Sequence, residues 1–366
     1  MKLIHCADMH LDSKLGANLS KEKAKERRHE LINTFIRMVE YARVNGIEAI
    51  LICGDMFDTH NISALTRNTV GNLLKENPAI DFYYLRGNHD DLSIETLFDE
   101  VPSNLHLFSD TWTTYNLGKT GKTFLYGVEL TAENSMSALQ NFVPDPAKIN
   151  IVMLHGQEQM GKAGDKAEVI NLKLLKNKGI NYIALGHVHE YKAEKLDGEC
   201  RYCYPGCLEG RGFDETGEHG FVELFVDEEK GIVTDTFIPF AERKLYDVSV
   251  DISGLTNSMD IIEKVRTVLS DSPATSEDMV KIVLSGYVGI ECEKDIEFIR
   301  RTFENDFYFF KVYDHSHIKI DYESFLYDSS LKGEFVRMVL GDDTLSDDEK
   351  GEIVKLGLSV LMGGEI

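Results

Sequence analysis

Along the first two thirds of the chain a short apolar run repeatedly gives way to a polar, often glycine-flanked cluster, and then to a helical stretch. Apolar runs of four or five residues bounded by turn signals are the pattern of buried strands, and their alternation with helices predicts an α/β domain. Five runs stand out. They are Leu3-Ile-His-Cys-Ala leading into Asp8 and His10, Ala49-Ile-Leu-Ile-Cys into Gly54-Asp55, Phe82-Tyr-Tyr-Leu into Gly87-Asn88-His89-Asp90, Ile151-Val-Met-Leu into His155-Gly156, and Tyr182-Ile-Ala-Leu into Gly186-His187-Val188-His189. Between the first two, residues 21–46 read as a helix with Leu31, Phe35, Met38 and Val39 on one face and a glycine stop, so it covers the sheet.

From about residue 245 the texture changes. A strand at 246–252, a helix at 259–269, a strand at 280–287, a helix at 295–303 and a strand at 307–313 predict a small α/β cap domain. Two amphipathic helices follow, 331–340 and 346–361, the second opening on Ser346-Asp-Asp-Glu349, a capping-box pattern. The expected division is a main domain over 1–241, a cap over 242–322 and terminal helices over 323–366, with no internal repeat or low-complexity segment.

A length of 366 residues exceeds the usual span of one core, in keeping with that division. With 43% hydrophobic and 28% charged residues and only seven prolines, the chain is expected to fold throughout. No run approaches the roughly 20 apolar residues of a membrane span, and residues 1–8 lead straight into the first strand, so neither a membrane anchor nor a cleaved signal is expected. The cysteines are Cys6, Cys53, Cys200, Cys203, Cys207 and Cys292; the first two sit inside apolar runs as small hydrophobes, and a reduced, cytoplasmic protein is expected. Charge complicates matters. With 39 basic and 62 acidic residues the net charge is -23, the wrong sign for holding a polyanion by bulk electrostatics. Nucleic-acid binding must therefore be local, through bound cations, clustered Lys and Arg, or a basic partner subunit.

The polar clusters carry the chemistry. Asp8, His10, Asp55, Asn88, His155, His187 and His189 offer carboxylate oxygen, amide oxygen and imidazole nitrogen, the donors that hard and borderline divalent metals accept. In an α/β sheet, loops at the carboxyl ends of several strands converge, so clusters distant in sequence meet. The Asp8-x-His10 and His187-x-His189 pairs are expected to point to one side of an extended segment. Seven donors exceed one tetrahedral ion. Two ions roughly 3.5–4 Å apart, bridged by a carboxylate, use them all and clamp both oxygens of an in-line phosphoryl displacement; Asp55 is the bridging candidate. Any one fragment alone reads as a loop or a cap, but burying so many unpaired ionisable groups together is too costly to be packing alone.

The ordered set Asp8-Met-His10, Gly54-Asp55-Met-Phe-Asp58, Gly87-Asn88-His89-Asp90, His155-Gly156 and Gly186-His187-Val-His189 resembles the calcineurin-like metallophosphoesterases over about residues 1–190. The opening His5-Cys-Ala-Asp8-Met-His10-Leu-Asp12-Ser, the cap and the terminal helices are similar to the SbcD-type nuclease subunits of bacterial DNA repair exonucleases. The resemblance implies a sandwich of two sheets flanked by helices and a two-metal hydrolase loaded with manganese. One metal would take Asp8, His10, Asp55 and His189, the other Asp55, Asn88, His155 and His187. It implies that His89 is the acid that protonates the leaving oxygen, oriented by Asp58 as in the phosphatase form of the motif; archaeal and eukaryotic nuclease relatives commonly carry histidine at that position. His60 is unassigned. The implied partners are DNA and an SMC-like coiled-coil ATPase of the SbcC type docking on residues 323–366; a homodimer is compatible with the same layout.

Several features are set aside. Cys200-x-x-Cys203-x-x-x-Cys207 lacks a fourth ligand and reads as structural, and His315-x-His317 as a solvated strand face. Among Lys14, Arg86, Arg211 and Arg243, Arg211 is the foremost candidate for a phosphate contact, followed by Arg86; it follows Pro205-Gly-Cys-Leu-Glu-Gly, similar to the loop after the last ligands in the nuclease family. Three functions remain in view: a DNA nuclease acting with the ATPase, a phosphodiesterase or phosphatase for a nucleotide or other small ester, and a DNA clamp with structural metals. A duplex needs an open, basic-walled cleft and a small ester a closed pocket; the complete acid and ligand set disfavours the clamp.

Overall fold

The computed structural model describes residues 1–15, 19–58, 62–90, 94–98, 100–158, 169–198, 200–290 and 292–361. His60 lies outside the described residues. The chain forms two compact units, Met1–Lys244 and Leu245–Ile366.

In the first unit the elements run β1 (Lys2–Cys6), α1 (Lys21–Val44), β2 (Ala49–Cys53), α2 (Ala64–Glu76), β3 (Asp81–Leu85), β4 (Leu105–Leu107), β5 (Thr113–Leu117), β6 (Thr123–Gly127), α3 (Ser135–Asn141), β7 (Ile149–His155), β8 (Gln157–Glu158), β9 (Val169–Ile170), β10 (Tyr182–Gly186), β11 (Lys192–Asp197), β12 (Cys200–Tyr204), β13 (Gly220–Asp227) and β14 (Ile232–Pro239). Two six-stranded sheets result, ordered β14-β13-β1-β2-β3-β4 and β11-β12-β10-β7-β6-β5. In the first sheet β1, β2, β3 and β4 are parallel and β13 runs antiparallel to both β1 and β14; in the second β12, β10, β7 and β6 are parallel and the edge strands β11 and β5 antiparallel. Strand alternation sorts the core into layers. On β1, Leu3 joins Leu51, Leu125, Ile151 and Tyr182 between the sheets. Its neighbour Ile4 instead joins Phe35, Met38, Val39 and Val70 beneath α1 and α2. The outer face of the second sheet packs Val152, Ile183 and Tyr202 against Leu139 of α3 and Leu172. This is the expected sandwich of two sheets flanked by helices. Helix α1 starts where Ser20 accepts a hydrogen bond from the Lys23 N–H and ends at Asn45.

In the second unit, β15 (Leu245–Asp251), α4 (Ser258–Ser270), β16 (Met279–Ser285), β17 (Tyr287–Gly289), α5 (Ile296–Phe303), β18 (Phe309–Asp314) and β19 (His317–Lys319) precede three helices, α6 (Tyr322–Leu326), α7 (Leu331–Leu340) and α8 (Asp347–Leu361). Strands β15, β16 and β18 form a parallel sheet packed on α4 and α5 through Val250, Ile282, Ile261 and Ile299. The strand expected over 280–287 is broken. Gly286 has φ +93 and a Cβ there would strike Asp251, so the chain turns and Tyr287 starts a separate pair with β19. The capping box forms: Ser346 Oγ accepts from the Glu349 N–H at 3.4 Å while the Ser346 N–H donates to Glu349 at 2.8 Å. Among the described residues no helix is long and apolar enough to cross a membrane.

His5 sits wholly buried between the sheets. Nε2 lies 3.0 Å from the Leu185 carbonyl and Nδ1 3.0 Å from the Tyr182 hydroxyl. A carbonyl only accepts, so Nε2 carries the proton and Tyr182 donates to Nδ1. Burial holds His5 down to about 3, against a smaller upward pull from the Leu185 carbonyl. The folded value lies below the unfolded one, so between about 3 and 6.5 the unfolded chain binds more protons and stability falls as pH drops. At pH 5 the His5 contribution amounts to about 2 kcal/mol less stability than at pH 8. Denaturant unfolding followed by fluorescence of Trp112, the one tryptophan, checks this: the stability gap between wild type and His5→Gln narrows by that amount from pH 8 to pH 5, and a constant gap rejects it.

Candidate metal centre

The seven donors lie at the carboxyl ends of five strands drawn from both sheets: β1 leads to Asp8 and His10, β2 to Asp55, β3 to Asn88, β7 ends on His155, and β10 leads to His187 and His189. Backbone bonds link the turns, with the Asp8 N–H on the Gly54 carbonyl at 3.1 Å and the His10 N–H on the Asp55 carbonyl at 3.0 Å. Asp8, His10, Asp55 and His187 all have positive φ, at 52°, 44°, 51° and 103°. The two D-x-H and H-x-H pairs are therefore not extended segments with side chains on one side, as the spacing suggested. Tight left-handed turns aim each donor individually, and His187 and His189 go to different groups.

Those groups are Asp8, His10 and His189 on one side and Asp55, His155 and His187 on the other; a third, His10, Asp58 and His89, shares His10 with the first, and donor atoms inside each group lie within 4.8 Å of one another. Asp55 lies between them: its Oδ2 is 3.4 Å from His155 Nε2 and 3.9 Å from His10 Nε2, and its Oδ1 accepts the His89 N–H at 2.9 Å. Asn88 Oδ1 is 2.9 Å from His155 Nε2 and 3.2 Å from His187 Nδ1. Asp8 accepts the His187 N–H on both oxygens, at 3.0 and 2.9 Å. Three imidazoles present Nδ1 to an oxygen: His10 to Asp58 at 3.1 Å, His155 to the Cys53 carbonyl at 2.9 Å and His189 to Glu215 at 2.6 Å. Their Nε2 atoms point into the cluster, that of His155 toward Asn88 and Asp55, and those of His10 and His189 face each other at 3.1 Å. Two lone pairs at that distance repel unless a proton or a cation lies between them, so the donor set fits a bound cation.

The sequence model of the calcineurin-like phosphoesterase family matches residues 1–191. The chain belongs to that family. The phosphoesterase is 27% identical over 304 residues to the uncharacterized metallophosphoesterase YhaO of Bacillus subtilis, covering 78% of this chain and 72% of that one. It is 23% identical over 317 residues to the DNA double-strand break repair protein Mre11 of Aeropyrum pernix, covering 81% and 74%. Among solved structures, a dimetal phosphatase from Danio rerio superposes with a TM-score of 0.43 at 12% identity, covering 62% of this chain and 92% of that one. Family membership makes the protein a hydrolase of phosphoesters.

The remaining predicted residues of the phosphoesterase fall around the donors in unequal ways. His89 is half exposed, its ring edge-on to His10 at 5.2 Å. Asp58 is nearer to His10 than to His89, whose Nδ1 is 3.7 Å away. Arg211 reaches Glu215 at 2.8 Å and Asp58 at 3.7 Å. Arg86, at the end of β3, makes a two-pronged pair with Glu129. Cys200, Cys203 and Cys207 are buried and unbridged. Sequence reasoning missed Glu215 as the His189 partner, and it missed what Asp90 does within the Gly87-Asn-His-Asp90 motif: its carboxylate accepts the Gly87 and Phe57 N–H groups and ties the β3 loop to the β2 loop.

Electrostatics follow from crowding. Burial pushes Asp8 up to about 7, with His155 pulling it down and Asp55 pushing it further up. For His155 burial favours the neutral ring, but the Asp55 hydrogen bond and the Asp8 charge override it and raise the imidazole to about 9. Burial also opposes the charge on Asp55, yet His155 and the His89 N–H hold it well below the usual carboxylate range. The carboxylates and imidazoles thus offset one another's charge within the cluster. Because Asp55 touches both groups, Asp55→Asn is expected to lower the number of divalent metal ions bound per chain and to remove activity. Metal analysis after dialysis checks this, and an unchanged metal content with lost activity would rule out the bridging role.

Proposed function

We propose that this phosphoesterase is a manganese-dependent phosphodiesterase that cuts DNA as the nuclease subunit of an SbcCD-like repair complex. The observation that carries the reading is the convergence of donors on Asp55 Oδ2 beside the half-exposed His89. The similarity to Mre11 spans 317 residues, beyond the matched family segment, and supports a nuclease over other phosphoesterases. In this reading residues 1–241 hold the nuclease site, 242–322 form the cap, 323–366 dock the partner, and the protein works in the cytoplasm, where its thiols stay reduced.

Asp8, His10, Asp55 and His189 would hold one divalent ion and Asp55, Asn88, His155 and His187 the other, and the pair would supply Lewis acidity for an in-line displacement. The chain's own residues do the rest. Asp58 lies 3.7 Å from His89 Nδ1, and closing that gap to hydrogen-bond distance would hold Nδ1 and leave Nε2 to deliver the proton to the leaving oxygen. The charged heads of Arg211 and Arg86 are held by Glu215 and Glu129, so neither is a ready phosphate clamp. With a net charge of -23, attraction for DNA falls to the ions and to the partner subunit. That same balance favours the second reading, a phosphodiesterase or phosphatase for a nucleotide or other small ester, which needs less cationic surface. Manganese-loaded protein assayed on linear duplex DNA, single-stranded DNA and a nitrophenyl phosphodiester, with and without chelator, separates them; cleavage of the small diester alone rejects the nuclease.

His89→Ala is expected to keep its metals and to lose roughly 10²–10⁴-fold in rate on DNA, the usual worth of a positioned acid. A nitrophenolate leaves unprotonated, so the loss on the nitrophenyl diester is much smaller. Equal losses on both substrates would remove His89 from the acid role.

The SMC-like ATPase is assigned to α7 and α8. They leave an apolar groove of about 730 Å³ lined by Leu331, Phe335, Met338, Ile353 and Leu356, suited to an amphipathic coiled-coil segment. Met338 and Leu356 are 68% and 55% exposed, so charging them leaves the core of the unit intact. Met338→Glu with Leu356→Glu is expected to abolish co-purification with the ATPase while sparing diester hydrolysis; undiminished co-purification places the partner elsewhere.

A further inference from the structure

The loop between β12 and β13 carries a polar network that the metal groups themselves do not include. Glu215 is 9% exposed, and its Oε1 lies 2.6 Å from His189 Nδ1. Its Oε2 accepts the Arg211 backbone N–H at 2.8 Å, and the Arg211 guanidinium closes on the same carboxylate. Arg211 then reaches Asp58 at 3.7 Å, and Asp58 accepts from His10 Nδ1 at 3.1 Å. One guanidinium therefore joins the two carboxylates that face the outer nitrogens of His10 and His189. Both imidazoles belong to the Asp8 group; neither carboxylate faces His155 or His187 in this way.

The loop is pinned from two directions. The Cys207 N–H donates to the His189 carbonyl at 3.0 Å, and His219 Nε2 donates to the Glu215 carbonyl at 3.0 Å. Arg27, buried on α1, donates to the Gly210 carbonyl at 2.6 Å, and Thr34 donates to Glu209 at 2.7 Å. A carboxylate held this firmly fixes its imidazole partner as the Nδ1–H tautomer and strengthens Nε2 as a donor.

We propose that Glu215, clamped by Arg211, is a positioning residue that holds the cation of the Asp8, His10 and His189 group, while the Asp55, His155 and His187 group does not depend on it. The inference rests on the two-metal reading above. It also moves Arg211 from a direct phosphate contact to a support for the ligands.

The test is manganese titration of the full chain by calorimetry, with electron paramagnetic resonance on the loaded protein. Wild type is expected to show two sites and the broadened spectrum of a coupled manganese pair. Glu215→Ala weakens one site about 10–100-fold, the usual effect of losing an outer partner of a ligand, leaves the other unchanged and gives the hyperfine-split spectrum of an isolated ion. Glu215→Gln, which keeps an oxygen facing His189 and preserves packing, falls between the two; it decides the matter if the alanine variant fails to fold by Trp112 fluorescence. Wild-type binding and coupling retained in the variants overturn the inference alone, as does equal weakening of both sites, which marks a general structural role. A wild type without two manganese sites overturns the two-metal reading and this inference together.

Discussion

The two sheets are in close contact where the Cys53 carbonyl at the end of β2 meets β7 and β10. That carbonyl accepts from His155 Nδ1 at 2.9 Å, and a Cβ on Gly186 would run into it. The contact sets the spacing between a strand end of the first sheet and two of the second. On it depend the meeting of Asp55 with His155, the approach of the His187 N–H to Asp8, and hence both donor groups. A side chain at position 186 would force the sheets apart at that spot, and the donors would no longer lie within reach of shared cations.

Much of this was readable from the chain. Buried strands announce themselves as apolar runs, and polar residues at their carboxyl ends gather at one edge of an α/β layer whatever their separation in sequence. Helix α1 and helices α4, α5, α7 and α8 carry enough apolar periodicity and capping chemistry to be placed to within a residue or two, whereas the five-residue α6 was missed. The two-sheet arrangement itself came only through family resemblance, because β5, β6 and β14 alternate in burial but which strands they and β11 pair with is a non-local choice that composition does not encode. The turn geometry was misjudged for a related reason. Spacing of i and i+2 has a fixed meaning only in an extended chain, and Asp8, His10, Asp55 and His187 lie in left-handed turns that no pattern of apolar residues reveals.

Supporting residues were the least legible. Glu215 lies 26 residues from His189, in a loop rich in acidic and glycine positions where one glutamate looks like another. Its role appears only once the Cys207 and Arg27 contacts fold the loop back onto the site. Asp58 shows the reverse problem. Its motif position points to His89, whereas the nearer nitrogen belongs to His10, so one carboxylate serves both a ligand and the proposed acid.

Left-handed backbone at four non-glycine donors costs of order 1–3 kcal/mol per residue, and crowding imidazoles against buried carboxylates adds a desolvation cost. Neither is offset by apolar packing at the site. The surroundings offset it instead: three well-packed layers and the Asp90 and Arg27 tethers hold the turns in place. A bound cation would offset the carboxylate charge of Asp8 and Asp55 and take up the lone pairs where His10 and His189 Nε2 oppose each other, so the same crowding that costs desolvation is what the donor set would return on binding.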